Sequence, residues 1–166
     1  MILGMSISTF TTVHVILSLI GVAAGFVVVF GMIRGKHSGA WAAIFLATTV
    51  LTSVTGFPIP PFGFDPPRAV GVLSLVLLAL AIVALYVFRL AGWWRLIYVA
   101  TSTAALYLNC FVGVVQTFQK IYFFNSLAPT QSEPPFAIAQ GAVLIIFILL
   151  GVLGVRKFSP SRRGGF

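Results

Sequence analysis

The segment "STFTTVHVILSLIGVAAGFVVVFGMI", residues 8–33, decides the fold. It contains no Asp, Glu, Lys or Arg, and its one ionisable side chain is His14. A helix rises about 1.5 Å per residue, so this stretch is long enough to cross a hydrocarbon core about 30 Å thick. Four further apolar runs follow, at roughly 40–57, 68–91, 94–122 and 135–156. They leave little else in the 166 residues, of which 60% are hydrophobic and only 7% charged. A soluble domain carries about a quarter charged residues, and this composition excludes one. The expected fold is all-α, an integral membrane bundle of five transmembrane helices, in one domain over 1–158 with a short basic tail at 159–166.

The basic residues support five crossings. Arg34 and Lys36 follow run one, Arg89 and Arg95 flank the turn after run three, and Arg156, Lys157, Arg162 and Arg163 follow run five. If all five runs cross, eight of the ten basic residues share one side and only Arg68 and Lys120 take the other. Run two is the shortest and resembles a re-entrant segment in length, but removing it scatters this separation. The positive-inside rule then places the N-terminus outside and the C-terminus in the cytoplasm. All three tryptophans, Trp41, Trp93 and Trp94, sit beside the inner clusters, where indole favours the interface. The net charge of +8 is therefore a topology signal and not a nucleic-acid patch. "MILGMSIST" lacks a basic region, so run one is expected to be retained as a span and not cleaved as a signal.

The two outer loops, 57–68 and 125–135, hold eight of the nine prolines and both acidic residues, Asp65 and Glu133. Proline fixes φ and removes a donor, which makes stiff rims and sets helix starts. Asp65 and Arg68 are expected to pair locally, and Lys120 is expected to meet Glu133.

Helical periodicity aligns Tyr98, Ser102, Ala105, Asn109, Gly113, Gln116 and Lys120 on one stripe of the fourth span. Such a stripe faces protein, because polar groups in hydrocarbon need partners. His14, Ser18, Gly21 and Gly25 share a face of the first span, and the last two form a G-x-x-x-G step for close helix approach. Thr48, Thr52 and Thr55 align on the second span, and Gln140 aligns with Phe147, Gly151 and Gly154 on the fifth. The third span offers only Ser74 and is expected to be the most lipid-exposed. By helical rise His14 lies roughly 9 Å outward of its helix centre, with Thr52, Gln116 and Gln140 roughly 6–12 Å outward of theirs. The expectation is one polar cluster in the outer half, made of His14, Ser18, Thr52, Asn109, Gln116 and Gln140, with Asp65, Arg68, Lys120 and Glu133 as its rim.

Each feature has a structural reading beside a functional one. An intramembrane histidine serves as a relay, a haem ligand or a ligand-binding group, or it ties helices by bonding Gln116 or a threonine. A one-chain bis-histidine haem needs His37, which falls in the inner loop with Arg34 and Lys36, so metal ligation by His14 arises only with a haem held otherwise. Asn109 and Gln116 suit a quinone or serve as glue between helices. Cys110, the only cysteine, points about 100° away from Asn109 and reads as apolar filler. There is no G-x-S-x-G, H-E-x-x-H or P-loop, so no catalytic residue is assigned and a non-enzymatic role is favoured.

"ATTVLTSVTGF" (47–57) and "LAPTQSEPPFAIAQG" (127–141) resemble stretches of a group of small bacterial multi-pass inner-membrane proteins. That resemblance implies the bacterial inner membrane and brings no activity or cofactor. The first expectation is an accessory or assembly subunit of a larger membrane complex, with lipid and a protein partner or a second copy around it and no nucleic acid. The second is a redox or carrier protein holding quinone or haem, and the third a small-solute or proton pathway.

Overall fold

The computed structural model describes residues 2, 4–60 and 66–158. The expected Asp65, with residues 61–65 of the first proline-rich loop, and the basic tail 159–166 lie outside the described residues. Five helices are long and apolar enough to cross a membrane, as the sequence requires. They are α1 (Ile7–Ile33), α2 (Gly39–Gly56), α3 (Pro66–Ile82, continued by a π-helical turn over Val83–Val87), α4 (Trp94–Lys120) and α6 (Pro134–Lys157), with a short α5 (Tyr122–Leu127) before the last.

Local chemistry sets several of these limits. Ser6 caps α1, its hydroxyl oxygen accepting the Thr9 N–H at 3.1 Å. Gly35, at φ +68°, turns the chain out of α1 in a conformation that glycine enters without steric cost. α4 stops at Lys120 because Ile121 takes an extended conformation (φ −96°, ψ 115°). The sequence reading carries this span to 122 and does not anticipate α5. Pro134 opens α6 where a missing N–H is harmless.

The other departure comes at the end of α3. The expected run to 91 breaks into the π turn, where the Leu90 N–H reaches the Ala84 carbonyl at 3.0 Å. Arg89 and Leu90 then adopt φ +48° and +59°, an unusual conformation for side chains of their size. Phe88 stacks on Trp94 with centroids 3.8 Å apart, and the turn ends as α4 begins.

Alternation of the helices makes a basic end and a proline-rich end. At the basic end the ring of His37 lies 6.1 Å from that of Tyr98 and 6.3 Å from that of Phe158. Arg95 donates to the Phe158 carbonyl there. These contacts join the α1–α2 loop, the start of α4 and the end of α6.

α4 is the hub, packed against α1, α3 and α6, while α1 also runs along α2. The core includes Phe45, Leu78, Leu85, Tyr98, Val99 and Leu106, each at most 2% exposed. The G-x-x-x-G step of α1 sits against this core. A Cβ on Gly25 would lie 2.6 Å from Leu106 Cδ1 and 2.9 Å from Phe45 Cε2. Gly154 plays the same part between α6 and α4, since a Cβ there would fall 2.9 Å from Val99 Cγ1.

One expectation is reversed. α3, with its π turn, buries Ser74, Leu78, Ala81, Ala84 and Leu85, whereas α6 buries only Phe147 and Gly154. Ile138, Ile145, Ile148 and Leu149 of α6 are more than half exposed. α6, not α3, is the helix most open to the surroundings. Counting polar side chains misplaces α3 because small apolar residues, Ala81 and Ala84, bring it close to its neighbours.

Candidate functional site

The polar residues of the proline-rich half sit on four helices, and their bonds run to their own bundle. His14, half-buried on α1, faces Thr55 on α2 with Nδ1 and Oγ1 2.9 Å apart. The Thr55 hydroxyl already donates its one proton to the Leu51 carbonyl at 2.7 Å. Its oxygen must therefore accept, so His14 Nδ1–H is the donor, and in a neutral ring Nε2 is then the acceptor. The bond fixes both tautomer and ring orientation. A threonine, and not Gln116, is thus the partner of His14. Ser18 sits one turn along and donates its proton to the His14 carbonyl of its own helix at 2.8 Å.

Near mid-membrane Asn109 of α4 donates through Nδ2 to Thr49 Oγ1 of α2, a long bond of 3.5 Å. Thr49 is fully buried, and a Cβ on Gly21 would lie 3.1 Å from its hydroxyl oxygen. Gly21, Thr49 and Asn109 thus join three helices at one level. Thr52, one turn further on α2, is buried, and its hydroxyl has no hydrogen-bond partner among the described residues.

Gln140 of α6 donates through Nε2 to the Phe111 carbonyl of α4 at 3.2 Å. Its Oε1 and that of Gln116 are buried without partners among the described residues. No hydrogen bond links His14 to Asn109, Gln116 or Gln140. The expected cluster is therefore a set of separate pairs that stitch α1 to α2, α2 to α4, and α4 to α6.

The rim also differs from expectation. Glu133 turns back on its own loop, accepting from the Thr130 hydroxyl at 2.8 Å, the Thr130 amide at 3.2 Å and the Ser132 amide at 3.0 Å. Burial raises its carboxyl, but the Thr130 hydroxyl and the backbone amides together outweigh that and hold it below the usual glutamate range. Lys120 is exposed and is not the partner of Glu133. Local donors win because an exposed ion pair must hold two long side chains in one geometry. Arg68 donates to the Phe57 and Ile59 carbonyls at 3.3 and 2.8 Å, clasping the start of α3 to the end of α2.

Sequence reading missed three contributors. Gln131, at φ +59°, reaches from the loop to the Val115 carbonyl of α4 at 3.2 Å. Asn125 of α5 donates to the Phe118 carbonyl at 3.1 Å. Phe118 packs its ring 5.4 Å from both Phe124 and Phe136. These contacts make the α5–α6 connection a fixed rim, and the aromatic spacing 118, 124, 136 was its only sequence signal. Thr49, the partner of Asn109, was passed over because it lies off the Thr48–Thr52–Thr55 stripe.

His14 lies about 28 Å by helical rise from the last residue of α1, Ile33, and His37 follows in the loop at that end, so one chain cannot bind a haem through both. Among the described residues no group of three or more His, Cys, Asp or Glu is placed to hold a metal ion. No protein-family model, curated protein or solved structure matches this chain.

Proposed function

We propose that this small integral membrane protein is a non-enzymatic accessory or assembly subunit of a larger membrane complex. The observation that carries this reading is how its intramembrane polar groups are used. His14, Asn109 and Gln140 each spend a hydrogen bond on another helix of the same chain. Chemistry of that kind holds a bundle in one shape and presents a fixed apolar surface. α6 supplies that surface, since it packs inward mainly through Phe147 and the Gly151 and Gly154 notches. The separation of basic residues supports an N-terminus outside and a cytoplasmic C-terminus, and the two stretches at 47–57 and 127–141 support a bacterial inner membrane.

Photo-crosslinking residues at Ile145 and Leu149 of α6, with Val72 and Val76 of α3 as comparison, test the reading in native membranes. A discrete protein adduct from the α6 positions and none from α3 is the expected result. Lipid adducts alone from both helices, together with solo purification as a stable monodisperse species, would overturn it.

A second reading is a quinol- or haem-carrying protein, and one observation favours it. Oε1 of Gln116 is a buried acceptor with no hydrogen-bond partner among the described residues, and Thr55 sets the His14 ring so that Nε2 of its neutral form is a second acceptor. Two acceptors suit a hydroxyl donor such as a quinol better than a quinone carbonyl, and an oriented imidazole suits haem iron. Oxidised and dithionite-reduced visible spectra of protein from its native membrane test for haem. Extraction of bound quinone from wild type and from His14→Ala tests for the other ligand. No Soret band, and equal quinone in both proteins, would remove this reading.

A further inference from the structure

A cavity of about 520 Å³ opens at the basic end, against the last turns of α1 and the loop that follows. Its wall has two parts. Phe26 and Phe30 form an apolar strip, stacked with centroids 6.0 Å apart, and Gly31 leaves a notch beside them. Arg34, Lys36 and His37 close the end of the cavity that faces out of the membrane. Phe30 is 48% exposed, so the strip opens sideways toward the acyl layer.

The charge at this end is not balanced from within. The chain has only two acidic residues, and both belong to the α2–α3 and α5–α6 connections at the proline-rich end. Arg34 and Lys36 are exposed and form no ion pair with Glu133, the one carboxylate side chain among the described residues. An occupant must therefore carry a negative group at headgroup level and an apolar body below it. A phosphodiester headgroup on two acyl chains has that form. A free anion would leave the Phe26–Phe30 strip unfilled.

We infer that this cavity is a binding site for an anionic phospholipid, its phosphodiester held by Arg34 and Lys36 and an acyl chain lying along Phe26 and Phe30. The site stands apart from the reading of the polar pairs and survives whichever function holds. The loop carrying Arg34, Lys36 and His37 is also tied to Tyr98 and Phe158 through the His37 ring. A bound lipid thereby braces the α1–α2 loop against α4 and the end of α6.

The test uses the full chain in nanodiscs of phosphatidylcholine with and without phosphatidylglycerol. Co-released lipid is read by native mass spectrometry, and amide exchange is followed across residues 31–38. Phosphatidylglycerol should be retained over phosphatidylcholine and should slow exchange in that segment. In Arg34→Gln/Lys36→Gln the preference should fall about fivefold for each cation removed, from about 1 kcal/mol apiece. Lys120→Gln, at the other end, should leave it unchanged.

Circular dichroism confirms that both variants are folded. Equal retention of the two lipids, or a preference that the double variant keeps or that Lys120→Gln also loses, would overturn the site. Protection of 31–38 by inorganic phosphate in pure phosphatidylcholine discs would overturn the lipid and leave an anion.

Discussion

α4 and α6 are both membrane-length helices, and they invert the rule that governs proteins in water. α6 is by far the more apolar of the two and buries only Phe147 and Gly154. α4 carries Tyr98, Thr101, Ser102, Thr103, Asn109 and Gln116, and it buries eight residues at the centre of the bundle. In lipid an apolar side chain gains little by leaving the solvent, whereas a polar one is shielded inside the bundle. Asn109 bonds Thr49 there, and the Tyr98, Ser102 and Thr103 hydroxyls are buried without a hydrogen-bond partner among the described residues. The most polar stripe therefore becomes the hub and the most apolar helix the outer wall. The contrast also runs along α4 itself. Tyr98, Ser102 and Ala105 are fully buried, while Gly113 and Lys120 at the other end of the same stripe are exposed. Along this stripe α4 is tightly packed toward the basic end and open toward the proline-rich end.

The largest expected effect comes from Gly25→Leu. Even its Cβ would meet Leu106 and Phe45, and the added branches should cost above about 3 kcal/mol. Thermal unfolding in detergent reads this, and Gly113→Leu is the control, since nothing lies within 4 Å of its Cβ position. If both variants melt alike, the tight contact of α1 with α4 is wrong.

Leu106→Ala against Leu149→Ala compares the two helices directly. Leu106 is fully buried and Leu149 is 57% exposed. The first should cost about 2 kcal/mol, at the low end because lipid replaces water in the reference state, and the second less than about 0.5 kcal/mol. Similar losses would erase the contrast between hub and wall.

A double-mutant cycle on His14→Ala and Thr55→Val should give a coupling of about 0.6 kcal/mol, the scale of interhelical bonds in membranes. A coupling of zero would remove the bond that sets the His14 tautomer.

The smallest effect is in pH. Burial lowers the His37 pKa below the ordinary 6.5. The unfolded chain therefore binds the proton first. Stability is full above that value and declines as pH falls below it. The decline is small because the ring is half exposed, and His37→Gln should flatten it. A rise in melting temperature on acidification would contradict the sign.

Much of the fold was legible because bilayer thickness, proline placement and the sidedness of charge act along the chain. The 8–33 run and the separation of basic residues are enough to give five spans. The breaks at Ile121 and at Val83–Val87 were not legible: the second falls inside continuous apolar sequence and comes where the turn meets Trp94, and the first follows Gln119 and Lys120 with no glycine or proline to mark it. The candidate site was legible only as residues. Periodicity brought His14, Asn109 and Gln140 to the interior, but partners are set by rotation and depth between helices. A one-position offset, Thr49 in place of Thr48, was enough to hide the link to Asn109. Glu133 went to its own loop because Thr130 and Ser132 lie within three residues of it, a local option that a long-range match to Lys120 overlooked.

The central claim is that α4 is turned inward by its polar stripe and α6 outward. Nitroxide labels placed singly along 98–106 of α4 and 144–152 of α6, read by oxygen accessibility in nanodiscs, measure it most directly. The expected result is low accessibility at 98, 102 and 105, against high accessibility at 145, 148, 149 and 152. Equal accessibility on the two helices, or an oxygen-exposed 102, would contradict it.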